Sequence, residues 1–414
     1  MKIVQINTIC GVGSTGRIAA DLYRLAEEKG EKSAFVYGRG THPEDLKQVY
    51  KTGSTVDFGC HVLRNFFMDG SGFGSAEPTR KMLRWLEEWK PDLIHLHNIH
   101  GFYLQIELLF AFIRENRIPV VWTLHDCWPL TGHCAHFDYV GCDKWKEGCY
   151  QCVQHRTGYP YALFCDNSRA NYIRKRDAFC QAGNMTIVTP SKWLGEIVEQ
   201  SFLKSYPVKV IPNGINLTQF SYKPDTSYGM EFVRQNHLEG KKRILGVSNG
   251  WIQRKGFAYF EELAQRLEDS WRIILVGVNA RQRKELCRHY RGKIIPVERT
   301  QNIEQLAALY SLADLFVNPT LEDTFPTTNL EALACSTPVI TFRTGGSPEM
   351  LDESCGRVVT RGDSRELEET IRNTMEKVDS MRPHCREKAL QYDRFTQYEK
   401  YISLYHEMME SSRK

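Results

Sequence analysis

Three acids and a polar turn stand close together in Glu322-Asp323-Thr324-Phe325-Pro326-Thr327-Thr328-Asn329-Leu330-Glu331, and Glu331 leads into the apolar run Ala332-Leu333-Ala334-Cys335. A carboxylate can accept from both hydroxyls of a sugar diol. The unsatisfied amides of a helix start, here around Thr327, Thr328 and Asn329, can take phosphate oxygens. The stretch therefore points to a nucleotide-linked ligand. Gly250-Trp251-Ile252-Gln253-Arg254-Lys255-Gly256-Phe257 adds two adjacent cations that can neutralise a diphosphate leaving group without a metal. Surface solubility is the bland alternative, but this pair follows a strand, where α/β sheets bind ligands. A third loop, Gly11-Val12-Gly13-Ser14-Thr15-Gly16-Arg17, lets backbone amides approach a phosphate or sugar around Gly13. A tight strand-to-helix turn explains it equally well. It is not a P-loop, which ends in Gly-Lys-Ser/Thr.

Histidines close two further strands, in Leu93-Ile94-His95-Leu96-His97-Asn98 and in Thr123-Leu124-His125-Asp126. His95 reads as a satisfied structural histidine, whereas the position of His125 coincides with that of the other strand-end groups. Cys134, Cys142, Cys149 and Cys152 lie within the polar, aromatic stretch 131–155. One Cys-x-x-Cys with two nearby cysteines can hold a tetrahedral structural zinc and order a long loop. Reduced thiols with incidental spacing are the alternative. Four thiolates leave no open position, so no metal would serve catalysis.

The elements that position these groups are short β-branched runs alternating with helical patterns. Strands are expected at 3–7, 34–37, 93–96, 120–124, 186–189 and 208–211, and again at 243–247, 272–276, 293–297, 314–318, 338–341 and 356–359. Continuous apolar strands separated by helices mean parallel sheets covered on both faces. Two such series predict two doubly wound domains, 1–216 and 217–394. Helical spacing in 395–410 (Tyr398, Tyr401, Ile402, Leu404, Tyr405) predicts a last helix that packs back on the first domain.

The chain has 414 residues, 42% apolar and 25% charged, with a net charge of +4, which is ordinary for a globular protein and demands no nucleic acid. Two basic clusters, Arg169, Arg174, Lys175, Arg176 and Arg80, Lys81, Arg84, read first as solvated helix faces. A patch for anionic lipid head groups or a phosphorylated acceptor is the sharper reading. No apolar run reaches the roughly 20 residues of a spanning helix, and the N-terminus reads as a strand rather than a signal peptide. The expected location is the cytoplasm, where 13 cysteines argue against a disulfide framework.

These motifs resemble the retaining glycosyltransferases of family 4. The likeness runs through the early Gly-rich loop, His125-Asp126, Thr189-Pro190-Ser191-Lys192-Trp193 and Val210-Ile211-Pro212-Asn213-Gly214. It continues in Arg254-Lys255-Gly256, Glu331-Ala332-Leu333-Ala334 and Gly345-Gly346-Ser347-Pro348-Glu349. The cysteine loop looks like that of a bacterial subgroup associated with capsule, exopolysaccharide or O-antigen assembly. The resemblance implies the GT-B arrangement: an acceptor-side and a donor-side Rossmann-like domain with an interdomain cleft. It implies a nucleotide-diphosphate sugar as donor and a saccharide or undecaprenyl-diphosphate-linked saccharide as acceptor. It also implies peripheral contact with the inner face of the plasma membrane, and no cofactor for catalysis. Glu331 should bind ribose, Arg254 and Lys255 the diphosphate, assisted by Thr327, Thr328, Asn329 and the Gly13 loop, and His125 the reacting sugar. The family motif places seven residues between two glutamates. Here that spacing falls on Asp323, so either Asp323 or Glu322 takes the first acidic role. An epimerase of the same fold and a non-catalytic relative are the competing readings.

Overall fold

In a computed structural model, described over residues 1–411, the chain forms two compact units. One comprises Met1–Pro212 together with the chain from Gln397 onward, and the other Asn213–Thr396.

The first unit holds seven parallel strands: β1 (Lys2–Ile9), β2 (Lys32–Arg39), β3 (Val49–Lys51), β4 (Leu93–Leu96), β5 (Val120–Thr123), β6 (Met185–Thr189) and β7 (Val208–Val210). Their order across the sheet is β3-β2-β1-β4-β5-β6-β7. The second holds β8 (Lys242–Val247), β9 (Trp271–Val276), β10 (Ile294–Val297), β11 (Leu315–Asn318), β12 (Val339–Phe342) and β13 (Gly356–Val359), ordered β10-β9-β8-β11-β12-β13. Every strand expected from sequence is present. Only β3 is additional, a three-residue edge strand whose half-exposed Val-Tyr-Lys offers no continuous apolar run to read. Each order reverses direction beside its first strand, between β1 and β4 and between β8 and β11. In open α/β sheets that switch point, at the carboxyl ends of the strands, is where ligands bind.

The strands are buried on both faces, and residue parity sorts the two layers. Val4, Ile6, Ile94, Leu96, Val120 and Trp122 share one core. Ile3, Leu93, Val121 and Val188 share the other with Ile18, Leu22 and the last helix, Arg394–Ser411, through Tyr398, Tyr401, Ile402, Leu404, Tyr405 and Met408. That helix thus covers one face of the first sheet. Among the described residues no helix is long and apolar enough to cross a membrane.

The basic clusters are mostly the solvated faces expected, with Arg80, Lys81, Arg84, Arg169 and Arg176 exposed, and Lys175 is the exception. Lys175 is 1% exposed and belongs to no solvated face. Its ammonium donates to the carbonyls of Trp128 and Thr131 at 2.8 and 3.0 Å and stands 3.3 Å from the Trp128 ring centroid. Burial pulls its pKa down to about 7, with the thiols and carboxylates around it pulling the other way. Arg174 forks onto Glu107 at 2.7 and 2.6 Å, Arg176 pairs with Asp177, and Arg80 and Arg84 share Glu77.

Candidate functional site

In the second unit, the loops after β8 and β11 meet across the switch point. Gly256, in the left-handed region at φ 77°, ends the β8 loop, and a methyl group there would lie 2.0 Å from the Pro319 carbonyl oxygen. Only glycine permits this approach. The Leu321 N–H donates to the Arg254 carbonyl at 2.7 Å, Thr320 Oγ1 to the same oxygen at 3.3 Å, and Arg254 Nη1 to the Glu322 carbonyl at 3.3 Å. Lys255 Nζ pairs with Asp323 Oδ2 at 2.5 Å, while Asp323 Oδ1 accepts the Phe325 N–H at 3.3 Å. Arg254, Lys255 and Asp323 are half-buried, so a ligand can reach the cations, whereas Glu322 is 4% exposed. The Asp323 carboxylate is thus set against the Lys255 ammonium.

The helix Thr327–Ala334 begins after Pro326 with no side-chain cap and no acid in its first turn. Its first amides, at Thr327 and Thr328, therefore keep the positive end of the helix free of a carboxylate. Glu331, one turn in, is half-buried and accepts from the Tyr310 hydroxyl at 2.9 Å. Burial, reinforced by Glu331, raises the Tyr310 pKa well above its usual value, so the phenol remains a donor. Asn329 differs from its expected role on a ligand-facing turn. It is fully buried, its Oδ1 accepts from Asn318 Nδ2 at 2.8 Å, and its own Nδ2 lacks a partner. Its side chain ties the helix start to the end of β11.

In the first unit, Gly13 opens the helix Gly13–Glu28 at φ 65°, exposed, after an uncapped Val12. His125, half-buried, follows β5, and a chain of buried polar groups lies behind it. His125 Nε2 is 3.0 Å from His97 Nδ1, and His97 Nε2 is 2.9 Å from Gln5 Oε1. Gln5 Nε2 donates to the Tyr405 hydroxyl at 3.4 Å, and Tyr405 bonds His95 Nδ1 at 2.6 Å. His95 Nε2 lies 2.8 Å from Thr123 Oγ1, which donates to Tyr401 at 3.3 Å. His95 is thus a satisfied core histidine. Burial is the main reason that His95 and His97 have pKa values well below the usual imidazole range and that His125 falls to about 4. With all three neutral and Gln5 Oε1 accepting, His97 carries its proton on Nε2, and its bare Nδ1 takes the Nε2 proton of His125. Gln5 so sets the tautomer of His125 through His97.

Sequence reasoning named neither Gln5, His97 nor Tyr405 for this work. One signal was available: Gln5 stands between Val4 and Ile6 in a buried strand, and such a polar residue needs a partner. Beside the chain, Asp126 is held at about 2. Burial opposes this, but His100 Nε2 at 2.7 Å and the Trp128 N–H at 2.9 Å prevail.

Cys134, Cys142, Cys149 and Cys152 line one small cavity of about 20 Å³ together with His133. The Cys152 thiol is held down by a hydrogen bond with Cys134, whose own thiol is pushed up. Among the described residues no group of three or more His, Cys, Asp or Glu side chains is arranged to hold a metal ion. The four thiols converge on this cavity. The Lys175 ammonium anchors the start of this loop at Thr131, and Phe137 stacks on Trp145 within it, 4.9 Å apart.

The family model "Glycosyltransferase Family 4" matches residues 15–219, and "Glycosyl transferases group 1" matches residues 241–377. WcaC of Escherichia coli K12, named for colanic acid biosynthesis, is 23% identical over 89% of each chain. TuaC of Bacillus subtilis 168, named for teichuronic acid biosynthesis, is 25% identical over 79% of this chain and 73% of its own. Among solved structures, sucrose-phosphate synthase of Thermosynechococcus elongatus superposes with a TM-score of 0.70 over 99% of both chains at 16% identity. HepE of Anabaena, in complex with UDP-glucose, gives 0.68 over 98% of this chain and 100% of its own at 15% identity. The two Rossmann-like units are those of the GT-B fold. With a matching family model over each unit, this chain is a glycosyltransferase and belongs to family 4.

Proposed function

We propose that this chain transfers a hexose from a nucleotide-diphosphate sugar to a saccharide or an undecaprenyl-diphosphate-linked saccharide, with retention, in cell-surface polysaccharide assembly. The observation that carries the reading is the meeting of Arg254 and Lys255 with the Asp323–Glu331 segment at the switch point of the second sheet. The names of WcaC and TuaC support the pathway class, and HepE, solved with UDP-glucose, supports the donor class.

In this mechanism Glu331 accepts the ribose hydroxyls. Arg254 and Lys255, with the amides of Thr327 and Thr328, take the negative charge that grows as the bond from anomeric carbon to phosphate oxygen breaks. The acceptor oxygen bonds the anomeric carbon from the same face, and its proton passes to the leaving phosphate. Asp323 is committed to Lys255 rather than to attack on a sugar, which favours this route over double displacement through a covalent glycosyl-enzyme. Asp323, rather than the buried Glu322, is our assignment for the first acidic role. Neutral His125 contacts a hydroxyl of the reacting sugar, and the Gly13 amides assist at the donor.

Incubation with a panel of nucleotide sugars tests the reading, scored by thermal shift and by nucleoside diphosphate release. Release that needs an added saccharide or undecaprenyl-linked saccharide supports a transferase. An isomerised sugar nucleotide formed without acceptor would identify an epimerase instead.

The histidine chain makes a second prediction. Gln5→Met removes the acceptor that orders His97, and kcat should fall by about 10–100-fold, as for the outer partners of other functional histidines. Imidazole nitrogen NMR should then show His125 sampling both tautomers. An unchanged kcat and an unchanged His125 spectrum would confine Gln5 to a packing role.

A further inference from the structure

Between the turn Trp128–Leu130 and the helix Ser168–Phe179 the chain forms no strand and no helix beyond one 3₁₀ turn, Lys144–Lys146. It has little core of its own. Among its large apolar side chains only Phe137 and Trp145 are buried, while Tyr139, Val140, Tyr150 and Val153 are exposed. A stretch of this kind needs a cross-link to hold one shape. The cavity of about 20 Å³ within it is the size for one small ion, and Cys134, Cys142, Cys149 and Cys152 all reach its wall. His133 shares that wall but is committed elsewhere, its Nδ1 to Asp69 and its Nε2 to the Gly158 carbonyl at 3.4 Å.

The surroundings of the thiols call for negative charge. Lys175 is buried beside them, and its ammonium meets two carbonyls and the Trp128 ring but forms no ion pair among the described residues. Cys149, Cys134, Asp69 and Asp126 are the acidic groups that act on it. Asp69 is taken by His133 and Asp126 by His100, which leaves the thiols. A buried ammonium without an anion is costly. Donors point the same way. The Gly132 and Gln154 N–H groups bond the sulfurs of Cys149 and Cys152, and the buried Trp145 Nε1, also on the cavity wall, has no acceptor. A zinc ion held by four thiolates is a net dianion, and it suits both the ammonium and these donors. A disulfide is neutral and answers neither.

We propose that Cys134, Cys142, Cys149 and Cys152 form a structural site for zinc. Each sulfur gives up its proton to solvent and donates a lone pair to the metal, whose oxidation state does not change. The side chains do not yet stand as ligands, so binding draws them inward, which a stretch without strand or helix permits. The Cys127 N–H donates to the Ala135 carbonyl at 2.9 Å, so a metal on Cys134 steadies the chain as it leaves His125 and Asp126. This site goes beyond the transferase reading, and its test needs neither donor nor acceptor.

The test is metal analysis of the full chain, purified under reducing conditions after reconstitution with zinc alone or cobalt(II) alone. About one zinc per chain is expected, and cobalt should give the visible bands and sulfur-to-metal charge transfer of a tetrahedral thiolate centre. Cys142→Ser and Cys152→Ser should each weaken zinc binding by about tenfold or more. Cys165→Ser should leave it unchanged, because that thiol is exposed and lies off the cavity. If the variants fail to fold, the wild type still decides. Zinc should shield these four thiols but not Cys165 from alkylation, read by peptide mass spectrometry, and chelation should lower Tm and open residues 131–165 to protease. Absence of metal uptake, a cobalt spectrum without thiolate charge transfer, or equal alkylation with and without zinc would overturn the proposal. A Cys134–Cys152 disulfide in the zinc-treated, reduced protein would overturn it too and mark a redox pair. Acceptor-dependent turnover by a chain that takes up no metal would remove this site and leave the transferase reading standing.

Discussion

Arg254→Ala is expected to lower kcat/KM by roughly 30- to 1,000-fold, the equivalent of about 2–4 kcal/mol lost from one preorganised donor at a developing oxyanion. The loss should fall mainly on kcat, because the leaving diphosphate gains charge only as the anomeric bond breaks. Little stability should go with it. The Arg254 side chain makes one long bond, to the Glu322 carbonyl at 3.3 Å, and the Leu321 and Thr320 bonds to this residue use its backbone oxygen. Lys255 is a poor substitute because its ammonium is already paired with Asp323 at 2.5 Å. Steady-state kinetics and a melting curve decide the matter. An unchanged kcat/KM removes Arg254 from the leaving-group role, and a large drop in Tm would mark it as structural.

Glu331→Ala should instead weaken binding of the nucleoside diphosphate. Hydrogen bonds to a charged carboxylate contribute about 1.5–3 kcal/mol, which is roughly 10- to 150-fold in Kd. This substitution also has a stability cost, because it leaves the buried Tyr310 hydroxyl without the acceptor it holds at 2.9 Å. An orphaned buried hydroxyl costs about 1–3 kcal/mol. Two further variants separate the effects. Glu331→Gln keeps an acceptor for Tyr310 but loses the charge that takes two ribose hydroxyls, so affinity should fall while Tm holds. Tyr310→Phe removes the orienting bond and should reduce affinity only modestly. Calorimetric titration with the nucleotide selected by the panel reads each case. Equal affinity in wild type and Glu331→Gln would count against the ribose contact.

The division between what was legible and what was not follows the range of the interactions. Sheet class, strand positions and the two-unit plan could be read from the chain because continuous apolar runs of four to six residues, spaced by helical periods, record burial locally. The loop motifs were legible for the same reason, since a parallel sheet sends every strand's carboxyl end to one side. Arg254, Lys255 and Asp323 therefore had to lie on one edge.

Tertiary structure alone decided which polar groups met. Glu322 and Asp323 are neighbours in sequence, yet one is buried and the other grips Lys255. Asn329 was expected to face a ligand but closes on Asn318, and Lys175 was expected in solvent but holds the cysteine loop from within. The chain behind His125 joins β1, β4, β5 and the last helix, and Gln5 and Tyr405 lie 400 positions apart. Residue patterns register the period of burial within one element. Hydrogen-bond partners depend on sheet order, register and the helix that covers them, and these arise only when the elements pack.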